Sequence, residues 1–260
     1  MNKMAIGIST SCLYPLETEK SLDTLGKAGV KTCEVFLNSP AETTPRFAEI
    51  LNKIRDEYGM KISAVHPFSS FAETYMLFSA YQRRFDDMLE FYKRNFEVTA
   101  ALGAGFSIIH GALTGAKISD TEYFERFARL VEEGNKSGVT VCHENVNRHF
   151  CESPVFVEKM KHYLGGDFKL VFDVKQAVRA GFSPYEFADK FKDDIVHIHI
   201  SDHTENADCL PPGKGIFDFG RLEKIMNSAE YQGDYIIELY RENFGGIEDL
   251  KASLSFMQNL

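Results

Sequence analysis

Residues 169–200 read KLVFDVKQAVRAGFSPYEFADKFKDDIVHIHI. Two short runs in this stretch, Lys169–Val174 and Ile195–Ile200, are rich in Val, Ile and Phe. They show little two-residue alternation, as parallel strands covered on both faces do. Between them, Pro184–Phe191 carries its apolar residues at helical spacing. A strand, a helix and a second such strand form a βαβ unit. Each strand also carries, near its end, a side chain that handles protons or cations: Asp173 on the first and His199 on the second.

The same alternation extends from this unit in both directions. Further apolar runs are Met4–Ser9, Thr32–Leu37, Lys61–His66, Phe106–His110, Val139–Glu144 and Tyr235–Leu239. Helical patterns occupy Pro45–Tyr58, Tyr123–Glu133, Pro154–Tyr163, Arg221–Asn227 and Ile247–Met257. Gly29, Gly59, Gly138 and Gly233 fall where the left-handed turn that closes a helix belongs. Eight strand–helix units in 260 residues, about 32 residues each, are the arithmetic of an α/β protein closed into a (β/α)8, or TIM, barrel. A doubly wound open sheet has fewer strands at this length, and the first strand–helix turn here lacks GxGxxG. No linker or charge shift divides the chain, so residues 1–260 are expected to form a single (β/α)8 domain. One unit is oversized. Between His66 and Phe106 the pattern predicts one long helix, Leu77–Ala101, after the aromatics Phe68, Phe71 and Tyr75. That segment reads either as a packed connection or as a flap over the barrel mouth.

Composition narrows the partners. Hydrophobic residues are 44% and charged residues 26%, enough apolar surface for a core, and the formal charge is −9. An acidic chain lacks the general attraction to phosphate that nucleic-acid coating requires, so nucleic acid is not an expected partner. The 5 cysteines are odd in number and scattered without a CxxC pair, which reads as reduced thiols in an intracellular protein. The beginning, MNKMAIGISTSC, is too short in apolar residues and too polar for a signal-peptide core. Residues Val98–Ala116 are uncharged over nearly a membrane-spanning length. Their glycines and His110 read instead as a helix end, a buried strand and a turn. A cytoplasmic location with no membrane partner is expected, and homo-oligomerisation stays open.

The chemistry sits at the strand ends. His66, His110 and Glu144 close the third, fourth and fifth runs; Asp173, His199 and Glu238 lie near the ends of the sixth, seventh and eighth. The chain holds 38 acidic residues and 8 histidines among 260, so six successive strands ending in this set is not a chance expectation. In a parallel barrel these ends converge on one face, where active sites of this fold lie. Three carboxylates and three imidazoles facing one another need a cation, and a divalent metal resolves the conflict. Taken singly, a His there has a packing explanation and an Asp or Glu a helix-capping one. His197 shares a strand face with His199, and either can be the ligand. His143 alternates with Glu144 and is expected to point out toward the helices. Nitrogen and oxygen donors without Cys suit Mn²⁺, Zn²⁺, Co²⁺ or Mg²⁺ rather than a thiolate site. Carboxylates beside a metal also transfer protons, as enolisation next to a carbonyl requires.

Four motifs, H-E-N-V (143–146), F-D-V-K-Q-A-V-R-A-G (172–181), H-I-S-D (199–202) and P-P-G-K-G-I-F-D-F (211–219), resemble those of the xylose isomerase-like barrel superfamily. That group includes sugar and sugar-phosphate isomerases and epimerases, hydroxypyruvate isomerase, inosose dehydratase and endonuclease IV. The resemblance implies a metal held by Glu144, Asp173, His199 and Glu238, with Glu144 and Glu238 as the catalytic acid–base pair, and it favours His199 over His197. It also implies that His66 and His110 contact substrate or a second metal. Two departures stand out. The family's Asp-x-x-His is Asp173-x-x-Gln176 here, and the loop GIFDF lacks the Asp-x-His pair of a third zinc site. Three-zinc phosphodiester cleavage is therefore not expected, and Gln176 is assigned a hydrogen bond to a sugar hydroxyl. Lys214 and Arg241 are assigned to substrate, meeting a phosphate at the mouth, against the alternative of solvated loop cations. The expected activity is a metal-dependent isomerase or epimerase of a small sugar, sugar phosphate or related hydroxycarbonyl compound, acting through a metal-stabilised enediolate. A lyase of the inosose dehydratase type, a hydrolase of the endonuclease IV type and a non-catalytic ligand-binding barrel are the competing readings.

Overall fold

A computed structural model describes residues 5–68 and 70–260; Met4, which begins the first apolar run, lies outside the described residues. The strands are β1 (Ile6–Ser9), β2 (Thr32–Phe36), β3 (Lys61–His66), β4 (Phe106–Ile109), β5 (Thr140–Glu144), β6 (Leu170–Asp173), β7 (Ile195–Ile200) and β8 (Tyr235–Ile237). Each pairs in parallel with the next, and β8 returns to β1, closing the barrel. The helices are α1 (Thr18–Lys27), α2 (Pro45–Tyr58), α3 (Ser70–Met76), α4 (Gln82–Ala101), α5 (Asp120–Lys136), α6 (Pro154–Leu164), α7 (Val174–Arg179), α8 (Pro184–Phe191), α9 (Phe219–Ser228) and α10 (Ile247–Gln258). The eight-stranded α/β barrel expected from the sequence is the observed fold. No helix among the described residues is long and apolar enough to cross a membrane. All five cysteines are buried and free.

Local chemistry sets the helix starts. Thr44, Ser119, Ser153 and Ser183 each accept, through the side-chain oxygen, the backbone N–H three residues on. Such a cap stabilises a helix by about 1 kcal/mol. Three of the four are followed by Pro45, Pro154 or Pro184, whose fixed φ suits the first helical position. At the end of α2, Gly59 takes φ 57°, the left-handed turn its position predicted.

Three expectations need correction. The long helix begins at Gln82, not Leu77, and α3 precedes it as a separate element. The reason is Arg126 on α5. Its buried guanidinium donates to the carbonyl oxygens of Leu77 (2.7 Å) and Ser79, which therefore do not continue a helix. Second, α7 follows β6 directly in a stretch that showed no helical pattern. Asp173 caps it, with Oδ1 accepting the Gln176 N–H at 3.0 Å. Third, Gly233 does not supply the left-handed turn after α9; Glu230 does, at φ 54°. Gly233 is small for another reason, since a Cβ there would lie 2.3 Å from the Val196 carbonyl oxygen.

The strand pleat positions the site. Ala64, Ile108, Cys142 and Val171 pack together inside the barrel. Side chains two residues further along the same strands share that inward face. They are His66, His110, Glu144 and Asp173. Pairing of β6 with β7 places Asp173 opposite His199, and pairing of β7 with β8 places Ile200 opposite Ile237, just before Glu238.

Candidate active site

Four strand ends bring Glu144, Asp173, His199 and Glu238 to one point. One ligand atom from each lies within 4.8 Å of the other three. His199 Nδ1 is 3.2 Å from Glu144 Oε1, 3.5 Å from Glu238 Oε2 and 3.7 Å from Asp173 Oδ2. Glu144, Asp173 and His199 are buried, and Glu238 is 14% exposed, so the group opens to solvent on the β8 side. Asp173 answers both readings of a strand-end acid: Oδ1 caps α7, while Oδ2 faces the group.

A second trio shares Glu144. His66 Nε2 and His110 Nε2 lie 2.7 Å apart, and Glu144 Oε2 is 3.0 Å from the His110 nitrogen and 3.6 Å from the His66 nitrogen. The third trio, Glu34, His197 and His199, is deeper in the barrel. Glu34 Oε2 accepts from His199 Nε2 at 2.9 Å and from His197 Nε2 at 3.0 Å, while Ser9 Oγ donates to Oε1. The two histidines on β7 differ in what they face. His199 turns Nδ1 to Glu144, Asp173 and Glu238 and is held from behind by Glu34, whereas His197 reaches Glu34 alone among the carboxylates.

Electrostatics at the site is a contest between burial and pairing. Burial opposes the charged form of Glu34, but His199 and His197 outweigh it and hold the carboxyl well below its ordinary range. Glu144 is likewise penalised by burial, yet His110, His199 and His66 keep it well below normal. For Asp173 burial wins and pushes its carboxyl up, despite Lys175 and His199. The His199 imidazole is raised well above its usual value; burial works against this, but Glu34, Glu238, Asp173 and Glu144 prevail. Glu144 Oε2 and Asp173 Oδ2 are buried and make no hydrogen bond, their near neighbours being the charge partners His110 and Lys175 at 3.0 Å each. Three buried or nearly buried carboxylates gathered around one imidazole nitrogen, with no thiol among the donors, fit a hard or borderline divalent cation, which on binding would displace the imidazole proton.

Residues 22–260 match the family described as xylose isomerase-like TIM barrel. The chain belongs to that family. No curated protein matches the sequence. Among solved structures, Escherichia coli 3-keto-D-glucoside 4-epimerase in its apo form superposes with a TM-score of 0.81 at 16% identity, covering 99% of this chain and 100% of the other. D-psicose 3-epimerase in the presence of D-fructose gives 0.82 at 15% identity, with 98% and 99% covered. A sugar phosphate isomerase/epimerase from Parabacteroides distasonis gives 0.74 at 20% identity, with 99% and 94% covered. At these identities the likeness shows the fold.

Within this xylose isomerase-like barrel the remaining sequence candidates separate by position. Gln176 is buried, and its amide oxygen accepts the Asn147 N–H at 3.1 Å, tying the β5 loop to α7. Arg241 donates to the Phe244 carbonyl at 2.9 Å and lies over the Phe244 ring, so its guanidinium is engaged in its own turn. Lys214 is exposed on the loop after β7. Asp202 organises that loop by accepting the N–H groups of His203, Gly213, Gly215 and Phe217. His143 points outward as expected, its Nε2 2.6 Å from the Tyr123 hydroxyl and its ring stacked on Phe127. A cavity of about 770 Å³ between the amino-terminal ends of β1, β2 and β8 contains none of these residues.

Three participants were not identified from sequence. Glu34 sits inside the run Thr32–Leu37, where a lone acid in a strand covered on both faces was the available signal. Glu73 on α3 is fully buried, accepts from the Tyr92 hydroxyl and the Gly111 N–H, and docks α3 beside His110. Lys175, two residues after Asp173, is 3% exposed and ion-pairs with Asp173 and Glu238. It lies within the motif 172–181, but nothing in the sequence pointed it at the carboxylates.

Proposed function

We propose that the chain is a metal-dependent isomerase or epimerase of a small sugar or related hydroxycarbonyl compound. The observation that carries this reading is the pair of carboxylates, Glu144 from β5 and Glu238 just after β8, meeting at one buried nitrogen-and-oxygen donor group. Glu144, Asp173, His199 and Glu238 would hold the ion. A divalent cation bound there supplies positive charge to the carbonyl and hydroxyl oxygens of a substrate. Glu144 and Glu238 approach from separate strands, so one accepts the proton beside the carbonyl and the other returns a proton from the opposite face. His66 and His110 lie on the β3–β4 side of Glu144, and a substrate oxygen entering between them would take a hydrogen bond from one ring. The epimerase structures with the same fold support a sugar-like substrate.

The test screens ketoses, inososes and sugar phosphates in deuterium oxide, with metal content measured alongside. Wild type is expected to hold about one ion per chain at these four ligands and to incorporate deuterium at the carbon beside the carbonyl. Glu144→Gln and Glu238→Gln should each lose turnover by roughly 10²–10⁴-fold, the range for general acid–base groups. Full activity in a metal-replete Glu238→Gln variant would sink the two-carboxylate mechanism.

A further inference from the structure

Among the described residues, Lys175 is the one lysine that ion-pairs with the carboxylate group. Its Nζ lies 3.0 Å from Asp173 Oδ2 and 2.8 Å from Glu238 Oε2, the same two oxygens that face His199 Nδ1. The ammonium is not at the point the four ligands surround. It forms no ion pair with Glu144 within 4.0 Å, although Glu144 is part of that group. It therefore stands on the outer edge of the ring, between the ends of β6 and β8, and leaves the centre free. Nor can it readily swing away. The side chain is 3% exposed, it starts from the Asp173-capped helix α7, and the Tyr240 ring covers its Nζ at 5.1 Å. Arg179 holds Tyr240 from the other side, donating to its hydroxyl at 2.8 Å while making a two-point ion pair with Asp208.

We propose that Lys175 is a built-in counter-ion of the four-ligand centre: a positioning residue that remains beside a bound divalent metal and weakens its binding. This rests on the metal-centred reading above. Three carboxylates carry three negative charges, which a divalent ion alone leaves one short of neutral. The lysine supplies the missing charge. A neutral centre is a better place for a substrate to become an anion than a negative one, because like charge nearby opposes proton loss. The cost falls on metal affinity, since a fixed positive charge repels the incoming ion and its hydrogen bond takes a lone pair of Glu238 Oε2.

The consequence is a pair of opposite effects that general damage to the site does not produce. Lys175→Met keeps the length and removes the charge. Metal affinity, measured by competition with a chromophoric chelator using Mn²⁺ and Zn²⁺, is expected to tighten by about tenfold or more. The melting temperature of the metal-free variant should fall below wild type, and its rise on adding metal should be larger. Turnover, once a substrate is known, should drop while the metal site stays full. Lys175→Arg keeps the charge and should bind metal within about threefold of wild type. Unchanged or weaker metal binding in folded Lys175→Met overturns the proposal. So does failure of both Lys175→Met and Lys175→Gln to fold with metal supplied, because the lysine would then be needed for the fold itself. Wild type that takes up no divalent ion defeats the functional reading instead. Wild type that binds one ion, with Lys175→Met binding it equally, defeats only the role given to Lys175.

Discussion

His199 carries two duties on one ring, and Glu34 separates them. With Nε2–H donated to a buried carboxylate, Nδ1 is the atom left for a metal. A carboxylate behind a ligating imidazole fixes its tautomer and orientation, and losing one typically weakens metal binding 10–100-fold. Glu34→Gln keeps the shape, and its amide oxygen can still face both imidazoles, but it removes the negative charge behind His199. Metal affinity of this variant is expected to fall by about that factor, the direction opposite to Lys175→Met. Isothermal titration of both variants with the same ion checks the contrast, and a Glu34→Gln protein with wild-type affinity would remove Glu34 from the site. At this scale the sequence showed which strand ends carry donors. It did not show Glu34, because an acid inside an apolar run has no partner until β7 is folded against it.

Among the elements, the β3–β4 connection shows how a single side chain overrides a local pattern. The amphipathic spacing from Leu77 to Ala101 is continuous, yet the chain breaks before Gln82 because Arg126 claims the Leu77 and Ser79 carbonyls. Arg126 is itself held by Glu122 at 2.7 Å and lies over the Phe85 ring. Replacing it with Met preserves much of the stem but leaves two carbonyls without their donor. A loss of about 2–4 kcal/mol is expected, from unmet hydrogen bonds and one broken ion pair. Urea unfolding measures that loss. Hydrogen exchange should show the opening concentrated between residues 70 and 82, and uniform exchange along the chain would contradict the assignment. Because α3 carries Glu73, which docks beside His110, loosening this segment also reaches the second trio of the site.

Acid stability belongs to the whole molecule, and His143 shapes it from outside the barrel. Burial against Tyr123 and Phe127 lowers its imidazole from 6.5 to about 3. Between those values the unfolded chain takes up a proton that the folded chain refuses. The contribution of neutral His143 is therefore complete above about pH 6.5 and is lost as pH falls toward 3, by on the order of 5 kcal/mol. His143→Gln removes this titration. Its unfolding free energy should start lower at pH 7 and decline less steeply than wild type between pH 6.5 and 3. Parallel declines, measured by urea titration across that range, would count against the buried neutral imidazole.

At that same scale, the sequence by itself determined the barrel. Eight apolar runs with helical stretches between them leave few ways to bury strands on both faces, and closure follows from their number and spacing. It also placed Glu144, Asp173, His199 and Glu238 at successive strand ends, because strand direction and the two-residue pleat are local properties. The tertiary structure alone decided what surrounds them. Lys175 reaches across β7 to Glu238, 63 residues away in the chain, and Glu34 reaches His199 across 165. Those pairings depend on ring closure and on how far each side chain extends. Neither leaves a periodic trace in the sequence.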